Sequence, residues 1–159
     1  MALTLEDVVA GVRSSRTFFL KHLRGIREDQ WDWKLYPECK SIRETVAHLV
    51  VDDKAALYSL QTGEEPDYEK LQEQESVQAS EQLLATLTES FEALLTYIQT
   101  NYAETPLETE VCAYGTPMKL GRAVAYFSAE DYYHAGQVAY IRMATDPEWD
   151  YYTNIYGSE

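Results

Sequence analysis

Apolar residues recur at spacings of three and four over four long stretches of the chain, a period that predicts amphipathic helices. We expect these helices from Leu5 to Leu23, from Ile42 to about Leu60, from about Ser76 to Tyr102 and from Leu120 to Thr145. The residues from Leu107 to Ala113 alternate over a run long enough only for a hairpin or an extended loop. The pattern therefore predicts an all-α four-helix bundle with one long crossover, built as a single domain over residues 1–159.

Residues that start and end helices support these boundaries. Thr4 can cap the first helix, and Ser41 with Glu44 three residues later forms a capping box for the second. His22, in the last turn of the first helix, is predicted as a surface residue that offsets the helix dipole. The acidic stretch Gly63–Glu75 is predicted as a solvated crossover without chemistry of its own.

The charge of the chain limits its partners. Lys and Arg number 13 against 27 Asp and Glu, which gives a formal net charge of −14. Such a chain repels phosphate backbones and anionic lipid head groups, so we expect neither a nucleic-acid nor a membrane partner. A hydrophobic content of 45% is enough for a substantial core. No apolar run approaches the roughly 18 residues of a membrane span.

Compartment is predicted from the first residues and from the cysteines. The start MALTLEDVVAGV has no basic flank and is interpreted as the start of a helix rather than as a signal peptide. Cys39 and Cys112 are too few for a disulfide framework, and both are placed in loops. We interpret them as reduced thiols and expect a cytoplasmic protein.

Two polar residues lie on or beside the apolar stripe of the fourth helix. Glu130 and His134 are four residues apart, so they stand one turn from each other on the same side. On the second helix, His48 lies at the edge of the apolar face and Asp52 follows one turn later. Because bundle sites are built from facing helices, this spacing permits His48, Glu130 and His134 to converge on one metal ion. A hydrogen-bonded cluster without metal is the alternative.

Three segments resemble one family. SIRETVAHLVVDD, YGTPMKLGRAVAYFSAEDYYHAGQVAYIR and the connection DQWDWKLYPECKSI resemble the DinB-like, or YfiT-like, superfamily of bacterial four-helix-bundle proteins proposed to bind metal. The most specific match is HAGQV, which resembles that family's H-x-G-Q signature. By this resemblance His48 takes the first metal position and His134 the last. The middle position, usually histidine, is Glu130, whose carboxylate remains a suitable ligand for zinc, nickel, manganese or iron.

The resemblance implies a divalent-metal-dependent enzyme acting on a small-molecule substrate. Three protein ligands leave open coordination positions, which suits catalysis. We favour S-transfer with a low-molecular-weight thiol such as bacillithiol or mycothiol, because no second acid is obviously placed for proton transfer. The alternative is metal-dependent hydrolysis, for which Asp52 is the candidate catalytic base. Asp52 and Asp131 are also candidate acceptors that orient an imidazole, or substitute ligands.

A third possibility is a non-catalytic metal-binding or stress-response protein that acts as a dimer. The fourth helix is rich in tyrosine, and the tail PEWDYYTNIYGSE is unusually aromatic. We expect this tail to pack on the bundle or on a second copy, and we expect a homodimer, as is common in the family. Basic residues that could bind an anionic thiol are few. Arg43, Arg122 and Arg142 are the nearest, and we expect them on the solvated face.

Overall fold

The structure is a computed structural model that describes residues 3–157. Its helices are α1 (Leu5–Leu23), α2 (Ile42–Thr62), α3 (Tyr68–Ser76), α4 (Ser80–Asn101), α5 (Leu120–Thr145) and α6 (Tyr151–Tyr156). The strands are β1 (Glu110–Ala113) and β2 (Thr116–Lys119), which pair antiparallel. The long helices α1, α2, α4 and α5 form the predicted bundle, in which α1 packs mainly on α5 and α2 on α4. The all-α architecture is therefore confirmed.

Capping residues begin the helices as predicted. Thr4 and Ser41 each accept a hydrogen bond from the backbone of the third helical residue, and both capping boxes are complete. Gly63 ends α2 in the left-handed conformation. The third long helix, α4, begins at Ser80 rather than near Ser76, because Val77 ends the preceding helix α3. The predicted hairpin is also present, and its Val111 and Ala113 are buried.

The prediction that Gly63–Glu75 is only a solvated crossover is wrong. Its second half forms α3, which Asp67 caps and which packs on α2. Glu75 is 1% exposed and forms an ion pair with Lys54 of α2. This ion pair attaches α3 to the bundle, although α3 itself offers few apolar side chains to the core. The crossover therefore forms one wall of the region beside His48.

A polar layer divides the core into two apolar halves. Arg16 of α1 lies between Asp53 of α2 and Asp131 of α5, and all three side chains are almost completely buried. Its Nη1 is 3.0 Å from Asp53 Oδ2 and its Nε is 2.7 Å from Asp131 Oδ1. Ser90 of α4 donates to Asp53, and Ser15 donates to Asp131. We call these five residues the Arg16 cluster; they tie the four long helices together at one level.

The prediction of a surface position for His22 is wrong. Its side chain is 1% exposed, its Nδ1 donates to the Phe18 carbonyl oxygen at 2.9 Å, and its ring packs against Phe18 and Tyr151. The aromatic tail accounts for this burial. Trp149 and Ile155 are buried, and α6 packs on α1, which confirms that the tail folds back onto the bundle.

The positions of the cysteines and of Arg142 differ in part from those predicted. Cys39 is exposed in the connection before α2, whereas Cys112 lies in strand β1 instead of the predicted loop; both thiols are free. Arg142 is buried rather than solvated, because it donates to the carbonyl oxygen of His22 and stacks on Trp149. Among the described residues, none of the helices combines the length and the apolar content that a bilayer crossing requires.

Candidate metal site

The structure brings together the three side chains that the spacing predicted would converge. One nitrogen each of His48 and His134 and one oxygen of Glu130 all lie within 4.8 Å of one another. Glu130 Oε2 is 3.4 Å from His134 Nε2 and 3.8 Å from His48 Nε2. The two imidazole rings meet edge to face, with centroids 5.0 Å apart. We call these residues the triad; its role in metal binding stays a prediction.

The helices give the triad a closed side and an open side. Uninterrupted α-helical geometry over Leu120–Thr145 places Glu130 and His134 one turn apart, and α2 presents His48 from across the groove. The side chain of His134 is 2% exposed, whereas that of His48 is 29% exposed. Any ion held by the triad is therefore shielded on the α5 side and accessible beside His48.

Gln137 fixes the orientation of His134. Its Oε1 lies 2.7 Å from His134 Nδ1, so the amide oxygen accepts the Nδ1 proton and leaves a lone pair on Nε2. That Nε2 is buried and has no hydrogen-bond partner among residues 3–157. Gln137 belongs to the H-x-G-Q match, but the sequence predicted no role for it. The three-residue spacing on a helix was the signal that could have found it.

Electrostatics keeps both imidazoles neutral. Burial lowers the pKa of His134, and burial together with the neighbouring His134 lowers the pKa of His48. Neutral imidazole is the form that binds metals. Bonds of about 2 Å to one ion require donor atoms roughly 3 to 3.5 Å apart, close to the separations between Glu130 and the two histidines. The donor set, its spacing and the unpartnered Nε2 of His134 all fit a divalent cation.

The structure places the two candidate aspartates differently. Asp52 Oδ2 is 3.4 Å from His48 Nε2, and burial together with the charge of Glu130 raises the pKa of Asp52 to about 7. Asp52 is therefore beside the triad, and its catalytic role stays a prediction. The prediction that Asp131 orients an imidazole or replaces a ligand is wrong. Its carboxylate binds Arg16 and Ser15, because one residue along a helix turns a side chain by about 100°.

Two chambers adjoin the triad and share His48, Asp52 and Tyr68 in their walls. The hairpin chamber has a volume of about 480 Å³. Its other lining residues come from the hairpin and α5, and they are Tyr114, Met118, Arg122, Tyr126 and Glu130. The α3 chamber, of about 570 Å³, is completed by residues of α2 and α3, namely Val51, Glu69, Gln72, Glu73 and Ser76. Tyr68, Tyr114 and Met118 were not identified from the sequence, because the chambers depend on how the hairpin and α3 pack on α2.

The arginine and tyrosine residues that the sequence suggested near the site differ in position. Arg122 lines the hairpin chamber and has no ion-pair partner among the described residues, whereas Arg43 pairs with Asp32 outside the chambers. Tyr126 also lines the hairpin chamber, and hydrogen bonding to Glu130 raises its pKa to about 12. Tyr133 is exposed, although its ring contacts that of His134.

Comparison with known proteins identifies the family. None of the curated proteins matches the chain. The family model described as the DinB superfamily matches residues 12–138, which is most of the chain and includes His48, Glu130 and His134. The helical architecture of the bundle agrees with this match. The chain therefore belongs to the DinB superfamily.

Proposed function

We propose that this protein binds a divalent metal ion through His48, Glu130 and His134 and catalyses S-transfer from a low-molecular-weight thiol to a small electrophile. The single observation that carries the metal proposal is the buried Nε2 of His134, which faces Glu130 and His48 and has no hydrogen-bond partner among residues 3–157. A buried imidazole nitrogen without a partner costs free energy that a metal bond would recover. Zinc, nickel, manganese and iron all suit two imidazoles and one carboxylate.

The two chambers favour a reaction of two substrates. They meet at His48, Asp52 and Tyr68, so molecules in both chambers would touch beside the open side of the triad. A bound divalent ion would supply the positive charge that stabilises a thiolate near neutral pH. Asp52, next to His48, is placed to take the proton that the thiol loses. The sulfur then forms a bond to the electrophilic carbon, and the leaving group departs with the bonding electron pair.

Hydrolysis is the second candidate, and the position of Asp52 supports it as well. The same carboxylate can take a proton from water instead of from a thiol, while Glu130 remains a metal ligand. The two reactions differ in what they consume. S-transfer requires a thiol and a carbon electrophile in equal amounts, whereas hydrolysis of an ester or an amide proceeds without thiol.

The first experiment measures the metal content of the purified, untagged protein after reloading with zinc, nickel and manganese in turn. We expect one ion per chain in the parent and much less in His134→Ala. His22→Gln is the matched control, because His22 is also buried but lies outside the triad. Absence of metal from the parent protein, or equal binding by His134→Ala, would reject the metal site.

The second experiment separates the two reactions. Protein loaded with each metal is incubated with monochlorobimane and a small thiol, and separately with p-nitrophenyl acetate without thiol. S-transfer predicts a thiol-dependent bimane product that falls in Asp52→Asn and His134→Ala. Ester cleavage without thiol, lost in the same variants, would support the hydrolase instead. Full metal occupancy without either reaction would support a binding protein.

We also propose a homodimer formed through the outer face of α5. The exposed positions between Ala125 and Ala144 carry no charge, and they are Ala125, Tyr126, Ala129, Tyr132, Tyr133, Gly136, Tyr140, Met143 and Ala144. Each copy carries a formal charge of −14, so two copies repel each other. This repulsion is weakest when they approach through an uncharged face. A two-fold axis would place this face against itself.

Sedimentation velocity tests the dimer. We expect Tyr140→Asp to shift the protein toward monomer, because Tyr140 is 70% exposed on this face and the substitution places a charge there. Val77→Asp is the control, since Val77 is also highly exposed but lies after α3, away from α5. A monomeric parent protein at the highest measurable concentration would reject the proposal.

A further inference from the structure

Tyr114 stands in a turn whose geometry does not favour tyrosine. It and Gly115 form the two-residue connection of the β1–β2 hairpin, with φ values of +54° and +71°. Paired positive φ values are typical of the hairpin turn that favours Asn, Asp or Gly at its first position. Among residues 3–157, Tyr114 is the only non-glycine residue with a positive φ. The backbone therefore gives no reason for an aromatic side chain here, and its conformation costs roughly 1 kcal/mol.

The hydroxyl of Tyr114 adds a second cost. It is buried and makes no hydrogen bond with any described residue, although the ring packs against Tyr126 and Phe127. Burial raises the pKa of Tyr114 well above its usual value, and the charges of Asp52, Asp53 and Glu130 raise it further. The side chain is therefore a neutral hydrogen-bond donor in the lining of the hairpin chamber, which it shares with Asp52 and Glu130. A buried donor that the fold leaves unpaired is destabilising by itself.

Arg122 supplies a second donor in the same chamber. It lines the hairpin chamber together with Tyr114, and it has no ion-pair partner among residues 3–157. Met118 and Tyr126 give this chamber apolar and aromatic surface. The α3 chamber differs, because Glu69 and Glu73 line it and its lining includes neither Lys nor Arg. The buried hydroxyl of Tyr114 and the exposed guanidinium of Arg122 thus both lie on the hairpin side of the triad.

We propose that Tyr114 and Arg122 bind a carboxylate group of a substrate in the hairpin chamber and orient that substrate toward the triad. This inference rests on the proposed function, since it names the chemical class that one of the two reactants carries. The carboxylate oxygens accept from the Tyr114 hydroxyl and the Arg122 guanidinium, while the remainder of the molecule contacts Met118 and Tyr126. The carboxylate can belong to the thiol or to the electrophile. Both sources require the same two donors.

Matched pairs of probes distinguish the two sources. N-acetylcysteine and N-acetylcysteamine differ only in the carboxylate of the thiol, and iodoacetate and iodoacetamide test the carboxylate of the electrophile. Turnover by metal-loaded protein is measured with each thiol against iodoacetamide and with each electrophile against N-acetylcysteamine. Rates without protein are subtracted, because these electrophiles differ in intrinsic reactivity. We expect a preference for the carboxylate member of one pair, and Tyr114→Phe or Arg122→Gln lowers that preference about ten-fold.

Two further measurements keep this inference separate from the proposed function. Calorimetric affinity for the two thiols, and for acetate against acetamide as unreactive stand-ins for the electrophiles, is measured on parent and variants. Carboxylate preference that Tyr114→Phe abolishes would support recognition even if turnover were absent, in which case only the proposed reaction fails. Equal affinities and rates within both pairs, or preferences unchanged in both variants, would overturn the inference.

Stability provides the last discrimination. Tyr114→Phe removes an oxygen that has no hydrogen-bond partner in the described part of the chain, so its unfolding free energy should stay the same or rise. A purely structural role for the hydroxyl predicts the opposite, a loss of stability with unchanged carboxylate preference, and this result would also overturn the inference. Tyr58→Phe is the matched control, because its hydroxyl binds Glu64 outside the hairpin chamber.

Discussion

Two acidic regions lie side by side in this bundle, and they are built from neighbouring residues. Asp53 and Asp131 belong to the Arg16 cluster, whereas Asp52 and Glu130, one position earlier on the same helices, face His48 and His134. In the Arg16 cluster a guanidinium bridges both carboxylates, and serine hydroxyls donate to their oxygens. The triad and Asp52 together bring two carboxylates and two neutral imidazoles into one region, and within residues 3–157 the ion-pair partners of these carboxylates are histidines only.

The difference concerns what each region needs from outside the chain. A buried charge requires an opposite charge and full hydrogen bonding, or it costs several kcal/mol. The Arg16 cluster meets that requirement with residues of its own, so it can serve the fold. The triad leaves His134 Nε2 without a partner among residues 3–157, and burial together with the charge of Glu130 raises the pKa of Asp52. A divalent cation is the component that would complete it.

Replacing the cation of the Arg16 cluster should have the largest effect. Arg16→Met leaves Asp53 and Asp131 buried without a counter-charge, and we expect a loss of about 3 to 5 kcal/mol in unfolding free energy. Urea denaturation at neutral pH measures it. Arg13→Met is the control, because Arg13 pairs with Glu92 at the surface, where an ion pair contributes about 0 to 1 kcal/mol. Similar losses in the two variants would contradict a structural role for the cluster.

Acidity beside the triad should make the stability of the metal-free protein depend on pH. The pKa of Asp52 is about 7 in the folded protein and near the ordinary aspartate value of 3.8 in the unfolded chain, so the folded state binds the additional proton. Its stabilising contribution is complete below about pH 4 and is lost as the pH rises through about 7. Asp52→Asn should remove this part of the slope. The expected change in unfolding free energy across this pH range is about 2 to 4 kcal/mol.

Chelator-treated protein is used for this measurement, with urea denaturation from pH 5 to pH 8. Glu69→Gln is the control, because Glu69 is an exposed acid of the same α3 chamber. If the unfolding free energies of the parent and of Asp52→Asn change with pH in parallel, Asp52 is not the group that makes stability depend on pH. The contrast between the triad region and the Arg16 cluster would then lose this support.

Local signals in the sequence were enough to predict the bundle and the triad. The helices follow from apolar periodicity and from caps at Thr4 and Ser41, and Glu130 and His134 are related by a spacing that any helix preserves. Only the meeting of α2 with α5 had to be inferred from the architecture. The triad was therefore accessible to sequence reasoning because two of its three residues belong to one turn.

Residues whose roles depend on long-range partners were predicted poorly. Arg16 continues the spacing of Leu5, Val9, Val12 and Phe19, so its place on the apolar face of α1 was a signal that could have been read. Its two carboxylates come from helices far along the chain, and no local pattern pairs them with it. The same limit applies to α3, since its attachment through Glu75 and Lys54 depends on an ion pair rather than on apolar spacing.

Gln137 tests the triad without changing a proposed ligand. Gln137→Ala removes the acceptor that holds the Nδ1 proton of His134, so metal affinity should fall about 10- to 100-fold. Gln137→Glu keeps an acceptor oxygen and should retain most of the affinity. Zinc titration by calorimetry measures both variants, and Gln99→Ala, at an exposed position of α4, is the control. An unchanged affinity in Gln137→Ala would show that this hydrogen bond does not orient a ligand.

The smallest effect is expected when Glu130 becomes histidine, and it separates charge from ligand geometry. Glu130→His removes one negative charge from the region but supplies an imidazole nitrogen as a donor from the same turn of α5. If the triad is a set of metal ligands, zinc and nickel should bind within about ten-fold of the parent affinity, or more tightly. Glu130→Leu, which removes both charge and donor, should lose metal. A large loss of metal affinity in Glu130→His as well would mean that the region attracts cations through its net charge alone. The contrast with the Arg16 cluster would then be one of charge balance rather than of metal coordination.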